Sequence, residues 1–131
     1  MYRVLLATDA PGRLAAFAAA LQARCELSRV PLAQSLEAAA RLEPQLVVVD
    51  QRGAPQATLK LLQDLLRQDA MMNLAVLSDL SPESFHHTYE GLGVLAQLPL
   101  RPGRKEAQAL LERLQEVAGP WSSGVSSGPS V

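Results

Sequence analysis

A doubly wound α/β domain built on a parallel sheet is the fold this sequence predicts, and three observations carry that expectation. Short apolar runs alternate five times with longer stretches whose apolar residues recur at helical spacing. The connections between them are short, which for parallel strands places helices on both faces of the sheet. Two of the runs end in an acid: Leu46-Val47-Val48-Val49 leads into Asp50, and Val4-Leu5-Leu6-Ala7-Thr8 into Asp9. Ligands of open α/β sheets bind at the carboxyl ends of the strands, so the two acids predict a small acidic pocket there.

Each element has its own signal. Tyr2 to Ala7 reads as the first strand, and Leu14, Phe17, Ala18 and Leu21 as the buried stripe of the first helix. Cys25 to Val30 is a second strand with diluted apolar character, followed by a helix on Leu32, Leu36, Ala39 and Ala40. Leu46 to Val49 is the third strand, and Leu59, Leu62, Leu65 and Leu66 lie on one helical stripe after it. Leu74 to Leu77 is the fourth strand. Ser81-Pro82-Glu83 then has the form of an N-cap, a first-turn proline and an acid, opening a short helix through Tyr89. Val94 to Leu98 is the fifth strand, and the last helix carries Ala107, Leu110, Leu111, Leu114 and Val117, with Gly119 placed to stop it. Residues 1–118 therefore form one domain, and 119–131, rich in Ser, Gly and Pro, read as a flexible tail or a linker to an output domain.

Composition excludes several function classes. At 131 residues, 48% hydrophobic and 19% charged, the chain supports one well-filled core and is too apolar for disorder. A formal net charge of −1 argues against the clustered Lys and Arg of a nucleic-acid surface. No run approaches the ~20 apolar residues of a membrane span. The opening residues lack a charged leader with an apolar segment and cleavage site, so a cytoplasmic location is expected. Cys25 is the only cysteine, which excludes an intrachain disulfide; a buried thiol is expected.

Taken in order, Asp9 after strand one, Asp50 after strand three, Ser78 after strand four and Leu98-Pro99 after strand five resemble the receiver domain of bacterial two-component response regulators, over roughly residues 2–118. The resemblance implies a flavodoxin-like (βα)5 sandwich with strand order 2-1-3-4-5. It also implies a site. In that family an acidic pair after strand one and an acceptor aspartate after strand three hold Mg²⁺, and the acceptor takes a phosphoryl group from a histidine kinase. A Ser or Thr after strand four and a Lys before a Pro after strand five bind the phosphoryl oxygens. Such transfer is mostly positioning and neutralisation of charge, which explains the hard cation and the lysine.

This chain keeps part of that set. Asp50 matches the acceptor, Asp9 the second member of the acidic pair (making Asp9 and Asp50 the metal ligands, with Mg²⁺ bound weakly), Ser78 the phosphoryl-contacting hydroxyl, and Pro99 the proline. Thr8 replaces the first acid, and Leu98 replaces the lysine. Leu95 stands at the place of the aromatic that rotates on activation, and Asp79 where a small residue leaves the phosphoryl group room. The loop proline, Pro55, comes one position late, and Arg52 occupies the place whose carbonyl ligates metal. Losing one charge-assisted hydrogen bond costs about 1.5–3 kcal/mol, so a degenerate receiver, a pseudo-receiver with impaired or absent phosphorylation, is expected.

Local explanations compete at each position. Asp50 can cap its own turn, Asp9 can serve as N-cap of a helix opening near Pro11, and Ser78 can be a satisfied polar residue. His86 and His87 point about 100° apart on a helix and so do not share a metal; both are expected at the surface. From Leu14 to Leu21 every residue is apolar, the pattern of a helix covered on all sides, although alanine also tolerates exposure. In the resembled family this helix is where kinases dock, and dimers form beside strand five, which singles out His86, Tyr89, Arg101 and Lys105. The expected function is a non-enzymatic signalling module binding protein partners, a histidine kinase or output protein, or a second copy of itself, with neither nucleic acid nor membrane. A working phosphoacceptor receiver is the alternative. A third reading, a small flavodoxin-like enzyme or nucleotide binder, lacks a Gly-rich fingerprint after strand one, where Ala10-Pro11-Gly12 offers a single glycine.

Overall fold

The computed structural model describes residues 1–51, 53 and 55–119. Apart from Gly119, the expected tail lies outside the described residues, as does Arg52. Five parallel strands form one sheet in the order β2-β1-β3-β4-β5. The strands are β1 Arg3–Ala7, β2 Glu26–Val30, β3 Leu46–Asp50, β4 Asn73–Leu77 and β5 Ala96–Leu98. The helices are α1 Ala15–Gln22, α2 Ser35–Leu42, α3 Pro55–Gln68, α4 Pro82–Thr88 and α5 Arg104–Ala118. No helix among the described residues is long and apolar enough to cross a membrane.

Strand alternation sorts the apolar residues into two cores. Val4 and Leu6 of β1, Leu46 and Val48 of β3, and Ala75 and Leu77 of β4 face Phe17 and Leu21 of α1 and Leu110 and Leu114 of α5. Leu5, Val47, Val49, Leu74 and Val76 face the other way, onto Ala38 and Ala39 of α2, Leu62 and Leu65 of α3, and Phe85 on α4. Because both faces are covered, β3 is buried at all five positions and shows no polar alternation.

Element ends follow their local chemistry. Ser81 caps α4 by accepting from Ser84 N at 3.1 Å, as its sequence predicts. Gly119 ends α5 at φ +79°, a conformation open to glycine. The first helix is preceded by a 3-10 turn, Pro11–Leu14, and β5 begins at Ala96, later than expected, although the Leu95 N–H already donates to Leu74 O of β4 at 2.7 Å. Helix α1 is not covered all round. Phe17, Ala18 and Leu21 are buried, whereas Ala15, Ala16 and Ala19 are exposed, so alanine supplies a helix-forming solvent face.

Candidate functional site at the strand ends

Asp50 is the last residue of β3 and is wholly buried, at 0% exposure. Alternation places it on the α1/α5 face with Leu46 and Val48. Two groups converge on its Oδ2. The Thr8 hydroxyl donates to it at 2.7 Å, and the Arg13 guanidinium forms an ion pair with it. Thr8 lies one residue beyond β1, on the same side as Val4 and Leu6, with its N–H bonded to Val30 O at 3.0 Å and its hydroxyl accepting from Ala10 N at 2.9 Å. Arg13 comes from the Pro11–Leu14 turn that opens α1. The next residue, Leu14, is buried in the α1/α5 core and anchors that turn.

The ion pair is half made. Guanidinium and carboxylate can join through two parallel N–H···O bonds, but here one oxygen takes both donors. Among the described residues, the buried side-chain nitrogen and oxygen atoms without a partner are Arg13 Nε and Asp50 Oδ1. These are the kinds of atom that the second prong of a side-on fork, or a bridging water, satisfies.

Asp9 is employed elsewhere. It is exposed, and its Oδ1 accepts from Leu32 N at 3.0 Å, tying the β1 exit to the turn after β2. The expectation that Asp9 caps the helix near Pro11 is therefore corrected: that position is Ala10, without a side-chain cap, and Thr8 takes the Ala10 N–H. The two acids read as one metal pair thus have different partners, a guanidinium and a hydroxyl for Asp50 and a backbone N–H for Asp9. Mg²⁺ demands near-octahedral oxygen ligands at about 2.0–2.1 Å. As placed, these residues do not fit it, and no cluster of three His, Cys, Asp or Glu occurs among the described residues.

On the β4/β5 side the residues are turned to structure. The Ser78 N–H donates to Leu98 O at 2.9 Å, and its hydroxyl accepts from Leu80 N at 3.1 Å, a local turn. The ladder sets Asp50 opposite Leu77 and Leu77 opposite Leu98. Leu98 is thus two strands from Asp50, roughly 9–10 Å at the usual strand spacing, and is buried with Ala107 and Leu110. Leu95 is half-buried against the same cluster, while Asp79, Pro99, His86, His87, Arg101 and Lys105 are exposed. Tyr89 is a correction. Rather than lying on a dimer surface it is 3% exposed, packs edge-to-face on Phe85 and donates its hydroxyl to Gln51 Oε1 at 2.6 Å. Arg13 and Gln51 are thus the parts of this region that sequence reasoning passed over, with Tyr89 assigned to the wrong surface.

No protein-family model matches the sequence, and no curated protein matches it. Solved structures do. A CheY-like protein, TadZ, from Pseudomonas aeruginosa superposes with a TM-score of 0.71 at 14% identity, covering 98% of this chain and 99% of that one. A response regulator from Desulfuromonas acetoxidans gives 0.74 at 18%, covering 89% and 98%. The response regulator domain of Thermotoga maritima CheB gives 0.73 at 16%, covering 93% and 99%. The chain has the flavodoxin-like fold of response-regulator receiver domains. One fold hosts many functions, so what this chain does is argued from its strand-end site.

Proposed function

We propose that this chain is a receiver-type signalling module that acts by binding proteins and whose Asp50 is impaired as a phosphoacceptor. One observation carries the reading: the Asp50 carboxylate is wholly buried, with one oxygen held by both the Thr8 hydroxyl and the Arg13 guanidinium. An acceptor needs an exposed oxygen and neutralising cations around the incoming group. Here the cation is bonded to the acceptor itself, and Leu98 offers no charge at the far side. The partner classes are a histidine kinase, an output protein or a second copy of the chain, and no enzymatic step is assigned.

The alternative, a working acceptor, is favoured by Asp50 Oδ1, which is buried but has no hydrogen-bond partner. Incubation with Mg²⁺ and acetyl phosphate, read by intact mass, separates the two. The impaired reading expects no added phosphoryl group. Near-stoichiometric labelling that disappears in Asp50→Ala would establish the alternative.

A further inference from the structure

We propose that the Arg13 guanidinium is the resident counter-ion of Asp50, standing in place of a divalent cation, so that this site excludes Mg²⁺ instead of binding it weakly. The inference shares its site with the reading above without depending on it, since a receiver can hold metal and still fail to accept phosphate.

Charge is the first argument. The Asp50 carboxylate and the Arg13 guanidinium sum to zero, and Thr8 brings a neutral hydroxyl where a second acid would add to the field. A dication arriving at Oδ2 meets a fixed positive charge and little net negative charge to offset it. Of the other acids at the strand ends, Asp9 is exposed and spends an oxygen on Leu32 N, and Asp79 is exposed.

Stereochemistry is the second. A carboxylate oxygen has two lone-pair sites, and those of Oδ2 are both filled, by Thr8 Oγ1 and Arg13 Nη2. Thr8 is not free to turn its oxygen toward a metal without giving up its bond to Asp50 or its acceptance from Ala10 N.

Tethering is the third. Arg13 N bonds to Ala10 O at 3.2 Å, Pro11 presets the first backbone angle of the turn, and Leu14 and Phe17 behind it are fully buried. A cation held on such a short leash competes at an effective concentration of about millimolar or above, comparable with the free ion it displaces.

The experiment titrates the full chain with Mn²⁺ as a paramagnetic probe and with Mg²⁺ by calorimetry, following backbone amides around Asp50 in wild type, Arg13→Ala, Arg13→Gln and each Arg13 variant combined with Asp50→Asn. The same spectra report folding. Wild type is expected to show no saturable broadening at Asp50 and Gln51. Removing the guanidinium is expected to create a saturable site, at least about tenfold tighter than anything in wild type, that vanishes with Asp50→Asn. Saturable metal binding at Asp50 in wild type overturns the proposal, and so does a folded Arg13 variant that stays metal-free. Arg13→Gln keeps a hydrogen-bonding group on the carboxylate, so the test survives if Arg13→Ala fails to fold. Metal binding by wild type without phosphoryl transfer would sink this inference alone and leave the impaired-acceptor reading standing.

Discussion

Asp50 ends β3 and Gln51 follows it, yet their side chains go to opposite faces of the sheet, and each face settles its polar group differently. On the α1/α5 face, Asp50 is matched by charge: a hydroxyl and a guanidinium crowd one oxygen while Asp50 Oδ1 and Arg13 Nε stay unpaired. On the other face, Gln51 is matched by neutral hydrogen bonds. Its N–H donates to Leu77 O at 2.9 Å, and its side chain accepts from Tyr89, whose ring lies 4.8 Å from that of Phe85. A neutral pair loses little when one partner goes, because the survivor need only find water. A buried charge has no such recourse. The charged face is therefore the brittle one.

The sharpest way to break this contrast is to remove the guanidinium. Arg13→Ala strands a fully buried carboxylate with one hydroxyl for company and is expected to cost about 3–5 kcal/mol in urea unfolding. Asp50→Asn leaves Arg13, whose side chain is 17% exposed, able to swing toward water, and so costs less. In the Asp50→Asn background Arg13→Ala should become mild, giving a strongly non-additive cycle. A cost below about 1 kcal/mol for Arg13→Ala would mean the pair behaves like a surface ion pair, and the contrast would collapse.

Alkaline pH probes both faces at once, through groups that must stay neutral. Burial pushes the Cys25 thiol from its ordinary 9.0 up to about 11, on the α1/α5 side. Burial also raises the Tyr89 hydroxyl, with a hydrogen bond from Thr58 pulling the other way, on the opposite side. An acid whose pKa is raised by folding holds its proton more tightly when folded. Its stabilising effect is complete below the unfolded value and is lost as pH climbs through the folded one. For Cys25 the gap corresponds to about 2–3 kcal/mol lost between pH 9.0 and about 11. Urea midpoints across that range should fall steeply in wild type and flatten in Cys25→Ala, with Tyr89→Phe removing a smaller share. An unchanged slope in Cys25→Ala would contradict the assignment.

Much of the fold is written in patterns that physics makes hard to misread. The apolar run Leu46 to Val49, rich in β-branched valine and followed at once by a turn-prone loop, reads as a strand covered on both faces, and Ser81-Pro82-Glu83 caps a helix by its own side chain. Asp50 at a strand end was equally legible, since covalent order alone puts it at the sheet edge. Its partner was not. Arg13 has no local signature, and its role exists only because α1 begins over the same edge where β3 ends, so the side chain meets a residue 37 positions away. One clue was available: Arg13 is the sole cation between Arg3 and Arg24, immediately ahead of an uninterrupted apolar helix, where a charge needs a reason. Asp9 misled for the opposite reason. Its spacing after β1 matches a metal ligand, but neighbouring side chains near a strand end point to different sides, and Thr8 holds the inward position.

The smallest expected effect comes from the neutral face. Tyr89→Phe keeps the ring against Phe85 and removes the hydroxyl that reaches Gln51 Oε1 and Thr58. Gln51 is 8% exposed and sits just past the strand, where a small rotation returns its amide to water, so the penalty for an unsatisfied acceptor is largely avoided. The expected loss is about 1 kcal/mol in urea unfolding, several-fold below that of Arg13→Ala. Equal costs for the two variants would show that hydrogen bonding rather than charge sets the stability of the β3 end. The α1/α5 face would then be brittle for the same reason as its neighbour, and Arg13 would have to be read as one more hydrogen-bond donor instead of the ion that balances Asp50.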